Sequence, residues 1–367
     1  MRVLVVVSDL TIGGTQRYLA RVMPRLISPD LEIEVCALDG GGPLAAELAA
    51  AGVAVHPTSF PRWTSAWRVH YVVRSLRELS RLARRGRFDA IHTHLYWSDT
   101  LGAIAGRLAR LARTIVSRRS LHSFRHPNPA LYHWLESAAN LAAGELIANS
   151  QAVLRDTVAR ESFVPRRRTV IYNGVEPSEY TAARAPRGGP LRLVCVGRLA
   201  APKNQRLAVE ALALARAGGC EATLTLVGDG PDRGAIADAA AGLGVADVVE
   251  LAGEQDDPRL HLEAAHAFLL TSEEEGFSNA LLEAMACALP AIATDTGGNP
   301  EALVGGRGGT LVPPGDVRAL ARAITDFGSR RSELVEMGRF NRARVESEFS
   351  LNVSARRLRD WYLNCES

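Results

Sequence analysis

Short apolar runs recur along this chain, and each is followed by a polar or glycine-bearing turn and then a stretch of helical period. Val3–Val7 is continuous, β-branched and bounded by Ser8-Asp9. That is how a strand buried on both faces reads. Gly13-Gly14 follow, and apolar positions from Gln16 to Ile27 predict a helix. Ile33–Leu38 predicts a second strand, turning at Gly40-Gly41-Gly42-Pro43 into a helix that ends at Ala51. Ala90–His94 predicts a strand leading into a helix from about Asp99, and Thr114–Ser117 and Glu145–Ala148 add further short strands. Strands alternating with helices require a parallel sheet covered on both faces.

The same grammar restarts after Val170-Ile171-Tyr172 and the turn Asn173-Gly174. Arg184–Pro190 is rich in Pro and Gly and reads as a linker. Strands are predicted at Leu191–Val196, Thr223–Val227, Ala267–Leu270 and Pro290–Thr294, with helices at Asn204–Ala217, Ala280–Ala288 and Asn352–Leu363. The expected fold class is therefore α/β, two doubly wound parallel-sheet (Rossmann-like) domains. The boundaries are set at residues 1–174 for the first, 175–347 for the second and 348–367 for a terminal helix. In such sheets ligands bind beyond the carboxyl ends of the strands, so candidate residues should sit just after strands.

Composition sharpens this picture in three places. The chain has 367 residues, 47% hydrophobic, which suits two cores rather than one. The net charge of +3 hides a split: residues 1–175 carry 23 Arg against 13 acids, while residues 176–367 carry 20 basic residues against 27 acids. A basic half can face phosphate, an anionic membrane or nucleic acid. Of 43 basic residues only one, Lys203, is lysine. The five cysteines show no C-x-x-C spacing, which argues against a zinc site or disulfide framework and for a reducing compartment. The apolar start is too short for a signal peptide core, and no stretch reaches the ~18–20 apolar residues of a membrane span. The expected location is the cytoplasm, with peripheral contact on the inner face of the membrane as an added expectation.

Several strand-to-turn junctions carry candidate chemistry. Gly13-Gly14 allows backbone to approach a ligand closely ahead of a helix start. It is not a G-x-G-x-x-G fingerprint, and no G-x-x-x-x-G-K-[ST] loop occurs, which disfavours a dinucleotide enzyme and a P-loop NTPase. Gly197-Arg198…Lys203-Asn204 follows Leu191–Val196 and places two cations where they can clamp a diphosphate, arginine by its planar fork and lysine as a point charge. Leu226-Val227-Gly228-Asp229-Gly230 is another tight turn, and nucleotide contact at Gly228 and an ordinary turn weigh equally. The strongest feature is Thr271–Met285. Three acids, Glu273-Glu274-Glu275, lead through Gly276-Phe277-Ser278-Asn279 into an apolar helix. Amides from Phe277 through Ser278, Asn279 and Ala280 to Leu281 are expected as unpaired helix-start donors for phosphate. Glu283 lies in an otherwise apolar helix, where a carboxylate needs a hydroxyl or cation partner.

The spacing Glu275…Glu283 (E-x7-E), with G-R-L…K-N before it and T-D-T-G-G-N-P-E (Thr294–Glu301) after it, resembles the GT-B-fold retaining glycosyltransferases of family 4. Gly13-Gly14-Thr-Gln-Arg17, His92-Thr-His94, Ile147-Ala-Asn-Ser150 and Ile171-Tyr-Asn-Gly-Val175 extend the resemblance over nearly the whole chain. The resemblance implies two domains facing across a cleft, with the C-terminal helix crossing back to pack on the N-terminal domain. It implies that Gly14 approaches a donor diphosphate and that His94 hydrogen-bonds the donor sugar. It implies that Arg198 and Lys203 hold the diphosphate, that Glu275 contacts sugar hydroxyls, and that Glu283 contacts the ribose. His94, Arg198, Lys203 and Glu275 are the expected catalytic set. Gly13, Gly14, Gly197, Gly228, Gly276, Phe277, Ser278, Asn279, Ala280, Leu281 and Glu283 are the expected donor site. Asn299 departs from the family's apolar residue and receives no role. The implied donor is a UDP-sugar ahead of a GDP-sugar. No D-x-D triplet occurs, so no metal and no cofactor are expected.

The acceptor side is less marked. Residues 62–87 hold eight arginines and one acid, Glu78. Val69, Val72, Leu76, Leu79 and Ala83 form one helical stripe, and Arg74, Arg77, Arg81, Arg84 and Arg85 form another. With Trp63 and Trp67 at its start, this helix is expected to meet an anionic membrane surface or a lipid-diphosphate acceptor. Ser117–His122 and Ser123–Pro129 form a polar loop that could line an acceptor site, with His122 and His126 facing solvent. The expected partners are a nucleotide-sugar donor and a glycan or lipid-linked acceptor. The alternatives are a sugar-nucleotide epimerase of the same fold and, behind it, a basic nucleic-acid-binding protein. Arginines without interleaved stacking aromatics argue against the last.

Overall fold

A computed structural model describes residues 1–58, 69–121, 129–183 and 189–363. Trp63, Trp67, His122, His126 and most of the expected linker at Arg184–Pro190 lie outside the described residues. The chain divides into two units, Met1–Asn173 with Leu351–Ser367, and Gly174–Ser350. Each is a parallel α/β sheet.

The strands of the first unit are β1 (Arg2–Val7), β2 (Glu32–Ala37), β3 (Ala54–Pro57), β4 (Ala90–His94), β5 (Arg113–Arg118), β6 (Glu145–Ala148) and β7 (Arg167–Val170). They lie in the order β3-β2-β1-β4-β5-β6-β7. Val3 to Val7 are wholly buried, as the unbroken apolar run requires of a central strand. The run Val170-Ile171-Tyr172 only touches a strand: pairing with β6 runs from Arg167 to Val170. The expected helix Gln16–Ile27 is the α-helix Gly14–Val22 followed by a 3-10 turn, Met23–Leu26, where Pro24 sits in the first turn and lacks the amide an α-helix interior needs.

The terminal helix Leu351–Leu363 belongs to this unit. Leu351, Ala355, Leu358 and Tyr362 pack in the same core as Val3, Val5 and Val7. Tyr362 is wholly buried, and its hydroxyl bonds His92 Nδ1 at 2.5 Å. Arg113 grips the helix end, donating Nη2 to the Trp361 carbonyl at 2.8 Å while its Nε and Nη2 hold Glu145.

The second unit holds β8 (Leu191–Val196), β9 (Ala222–Val227), β10 (Val249–Gly253), β11 (Ala267–Leu270), β12 (Ala291–Thr294) and β13 (Gly309–Val312), in the order β10-β9-β8-β11-β12-β13. Its core joins Leu191, Leu193, Leu224, Leu226 and Leu269 to Leu207, Leu212, Ile324 and Phe327 of the flanking helices. In both units the chain leaves the first strand on one side and returns on the other. The first and fourth strands of each sheet are thus neighbours, and the loops at their carboxyl ends diverge around a crevice, the place where such sheets bind ligands. In the first unit the loops after β1 and β4 flank that point. In the second they are the loops after β8 and β11.

Candidate functional site

In the second unit the loop Gly197–Asn204 and the loop Thr271–Ser278 are stitched together at this crevice. Thr271 Oγ1 donates to the Lys203 carbonyl at 2.8 Å, the Glu273 amide donates to the Pro202 carbonyl at 3.0 Å, and Asn204 Nδ2 donates to Glu273 Oε1 at 3.2 Å. Within this frame Lys203 Nζ lies 2.5 Å from Glu275 Oε1, which also accepts from Ser272 Oγ at 2.8 Å. The Glu275 side chain is only 9% exposed and Lys203 35%. Sequence reasoning placed these two residues on different parts of a ligand; the structure joins them to each other. Arg198 is exposed and carries no ion pair among the described residues, while its carbonyl is held by Gln205 Nε2 at 2.9 Å.

The helix Asn279–Ala286 begins at Ser278, whose extended backbone and hydroxyl make it the N-cap. Ser278 Oγ accepts from the Leu281 amide at 3.4 Å. This corrects one expectation: the Leu281 amide is already capped. Phe277 is a core residue, 5.3 Å from the Phe349 ring between centroids, so its side chain faces the interior. Glu283 lies on the fifth position of the helix and is partly exposed.

The glycines of the second unit have a packing reason. Gly228 has φ +138°, and a Cβ there would stand 2.1 Å from the Gly197 carbonyl oxygen. The turn after β9 therefore lies directly against the turn after β8, and Gly228 serves the shape of the site whether or not it touches a ligand. Gly297 at φ +52° passes so close to Glu275 that a Cβ would meet its carbonyl oxygen at 1.7 Å. The Gly298 amide then donates to the Gly276 carbonyl at 3.0 Å. Asn299, which received no role from sequence, is wholly buried and donates Nδ2 to the Thr294 carbonyl at 3.0 Å, and Thr294 Oγ1 donates to the Ser272 carbonyl at 2.6 Å. Thr294 to Asn299 thus form the floor under the acidic loop. The signal available in sequence was the glycine pair, whose close approach cannot be assigned a partner without the fold.

The first unit places Gly13 as N-cap of the helix Gly14–Val22, with Gly14 its first residue. Gln16 Nε2 and the Thr11 amide both donate to Asp9 Oδ1, at 3.1 and 3.0 Å, shaping the loop after β1. His94 ends β4 beside that loop, in register with Val7 and Ser117. It is 2% exposed, and among the described residues neither ring nitrogen has a hydrogen-bond partner. Its ring stacks 4.2 Å from His92, which uses both nitrogens, on Tyr362 and Ser117. Burial, then His92, then the charge of Arg119 hold the His94 pKa well below the usual histidine value, and burial pushes His92 down to about 3. Both rings are therefore neutral near neutral pH. Arg119 was passed over in sequence as part of a polar loop.

The helix Val69–Arg85 exposes Arg74, Arg77, Arg81, Arg84 and Arg85 and buries Leu79 and Ala83. These arginines lie on a helix face and not in the loops at the strands' carboxyl ends. Among the described residues no helix is long and apolar enough to cross a membrane, and no three His, Cys, Asp or Glu side chains are grouped to hold a metal ion.

Residues 12–179 match the model of Glycosyltransferase Family 4, and residues 190–329 match that of Glycosyl transferases group 1. Among curated proteins, the chain is 33% identical over 195 residues to the amylovoran biosynthesis glycosyltransferase AmsK of Erwinia amylovora, covering 50% of this chain and 48% of that protein. It thus spans about half the length of that relative. It is 27% identical over 383 residues to the D-inositol 3-phosphate glycosyltransferase of Thermobispora bispora, covering 95% and 89%. Among solved structures, Anabaena Alr3699/HepE in complex with UDP and glucose superposes with a TM-score of 0.83 at 20% identity, covering 99% of this chain and 100% of that one. That likeness shows the shared fold.

Proposed function

The chain belongs to the group 1, family 4 glycosyltransferases of GT-B fold, and from that premise we propose that it transfers a hexosyl group from a nucleoside-diphosphate sugar to a glycan or lipid-linked acceptor in cell-surface polysaccharide or glycolipid synthesis. UDP is the favoured base carrier over GDP; the UDP in the Alr3699/HepE complex supports that choice, and the polysaccharide role of AmsK supports the acceptor class.

The observation that carries the reading is the pairing of Lys203 with Glu275 beside the exposed Arg198, at the point where β8 and β11 diverge. Breaking a sugar–phosphate bond builds negative charge on the departing diphosphate. Preorganised cations aimed at that charge stabilise the transition state more than the ground state. Lys203 is held ready by Glu275, and an arriving diphosphate takes over its ammonium. The freed Glu275 carboxylate, still bonded by Ser272, then accepts from sugar hydroxyls. Glu283 accepts from the ribose hydroxyls. The Ser278-capped helix start adds its partial positive charge. In this reading His94, neutral and with both nitrogens unused, hydrogen-bonds the transferred sugar. Arg198, Lys203 and the helix start do the charge work that a metal does in enzymes with a D-x-D triplet. Attack on the same face the diphosphate leaves, with a phosphate oxygen taking the acceptor proton, gives retention.

A thermal-shift panel of UDP-, GDP- and ADP-sugars tests the reading, since a ligand at 100 times its Kd adds about 2.7 kcal/mol of stability. Selective stabilisation by UDP-sugars is expected. No response to any nucleotide sugar would remove the proposal. Release of an altered sugar nucleotide without acceptor would replace transfer by epimerisation.

A further inference from the structure

Three arginines lie along or just beyond β5, and two of them are fully accounted for. Arg113 donates Nε and Nη2 to the two Glu145 oxygens at 2.6 and 2.7 Å. Arg118, buried, donates Nε and Nη2 to Glu161 at 2.7 and 2.9 Å and Nη1 to Asp99 at 2.8 Å. Arg119 pairs with no carboxylate among the described residues. Its Nη2 donates to Asn173 Oδ1, its guanidinium carbon sits 4.6 Å over the Tyr18 ring, and its Nε is buried without a partner. Residues 59–68, 122–128 and 184–188 contain no Asp or Glu, so Glu366 is the single acid outside the described set.

A guanidinium that is partly buried and lacks a counter-ion is costly unless something anionic completes it. The group is held in place on one face and at one edge: Tyr18, itself fixed by Ser354 at 2.7 Å, covers a face, and Asn173 accepts from one fork nitrogen. Arg119 also stands where a ligand should come. It follows β5 by one residue, and the β4–β5 register sets His94, with its two unused nitrogens, beside Ser117. We propose that Arg119 is the anion-binding residue of the first unit, donating its planar fork to a phosphoryl oxygen of a substrate. His94 offers a second hydrogen bond at the same sheet edge. Arginine matches tetrahedral oxyanions in this two-pronged way, and a lysine would not. The proposal rests on the transferase reading only in taking phosphoryl groups as substrate chemistry. Two sources supply such a group, a donor diphosphate and a phosphate-linked acceptor.

Calorimetric titration of the full chain distinguishes them. The probes are inorganic pyrophosphate, UDP and farnesyl diphosphate. The proteins are the parent, Arg119→Gln and Arg119→Lys. Pyrophosphate is measured in an Arg198→Ala, Lys203→Ala background, so that the second unit's cations do not contribute. Arg119→Gln should bind pyrophosphate at least tenfold more weakly, with part of the loss recovered in Arg119→Lys. A parallel loss for UDP assigns the donor, and a parallel loss for farnesyl diphosphate alone assigns the acceptor. Unchanged affinity for all three probes overturns the proposal. Should Arg119→Gln unfold, Arg119→Lys carries the test: it keeps the charge and loses the fork, and affinity equal to the parent's overturns the assignment. UDP that fails to bind the parent chain contradicts the transferase reading, and the pyrophosphate arm still decides Arg119.

Discussion

Lys203 and Glu275 stand 72 residues apart in sequence and 2.5 Å apart in the fold. Their contact closes the loops after β8 and β11 over the crevice of the second sheet. Lys203 is about a third exposed and Glu275 largely buried, so the cost of desolvating the carboxylate offsets much of the attraction, and the pair's worth to stability is small, about 0–1 kcal/mol. Its worth to transfer should be large. Lys203→Ala is expected to lower kcat by about 10²–10³-fold, the range for losing one preorganised donor at a developing anion. Glu275→Gln keeps the shape and loses the charge, and should also cut turnover. Steady-state kinetics beside chemical denaturation measures both quantities. Full turnover in both variants would remove the site assignment.

Gly297 gives a second handle on the same site. Gly297→Ala must resolve a 1.7 Å approach to the Glu275 carbonyl and a φ of +52°. Gly305 has nearly the same φ, +56°, with nothing within 4 Å of an added Cβ. Gly305→Ala therefore reports the backbone strain alone, about 1–3 kcal/mol. Denaturation midpoints should fall further for Gly297→Ala than for Gly305→Ala, and only the former should lower nucleotide-sugar binding. Equal losses would mean that the close approach relaxes without consequence.

The buried histidines set an acid limit. The folded pKa of His92 is pushed down to about 3, from an ordinary value of 6.5, chiefly by burial. Between those values the unfolded chain binds a proton that the native one does not. Stability rises with pH wherever the unfolded state holds more protons. It is therefore lost as pH falls from about 6.5 toward 3. His266, pushed down to about 4 chiefly by burial, acts in the same direction in the second unit. Asp99, its carboxyl pushed up to about 8 chiefly by burial, works in the opposite direction over the same range. Thermal midpoints measured from pH 7 to pH 5 should therefore decline more in the parent than in a His92→Gln variant, a difference from which the Asp99 contribution cancels. Equal pH dependence in the two proteins would place the His92 ring in water.

The arginine face of the helix Val69–Arg85 makes a separable prediction. Arg74 is engaged with Glu78 at 2.7 Å, and Arg84 donates to the Leu108 carbonyl. Arg77, Arg81 and Arg85 are the exposed cations best placed for an anionic surface, each worth about 1 kcal/mol close to one. Sedimentation with anionic vesicles should exceed that with neutral ones, and Arg77→Glu with Arg81→Glu should abolish the difference. Equal binding to both vesicle types, or none, would exclude this surface.

The fold class was legible because the buried strands are written as unbroken apolar runs. Leu191–Val196 and Ala90–His94 have the same bounds in sequence and structure. β3, β10 and β13 were not legible. Each is four or five residues long and only partly buried, so no periodicity develops. The candidate site was readable where composition marked it: Lys203 is the sole lysine, and Glu275 and Glu283 carry a spacing. What could not be read was partnership. The Lys203–Glu275 pair and the support that Thr294, held by Asn299, gives to Ser272 depend on which loops the sheet order makes neighbours, whereas the Ser278 cap on Leu281 spans three residues and was open to a local reading. Arg119 is the clearest case. In sequence it is identical to Arg118, and only the distribution of Asp99 and Glu161 in space separates a structural arginine from one without a counter-ion.

The helix Leu351–Leu363 gives the first unit a strand-crossed assembly order. Its core needs Tyr362 on His92 and the Trp361 carbonyl on Arg113, yet these residues are made after all of the second unit. On a ribosome, domains generally fold as their residues emerge. Here the second unit can close while the first still lacks a helix. His92 and the core positions Val3, Val5 and Val7 that Leu351 and Leu358 join then remain uncovered until residues 351–363 have emerged. The unit that comes first in sequence is thus completed after the second, and a ribosome stalled anywhere before residue 351 would display it unfinished.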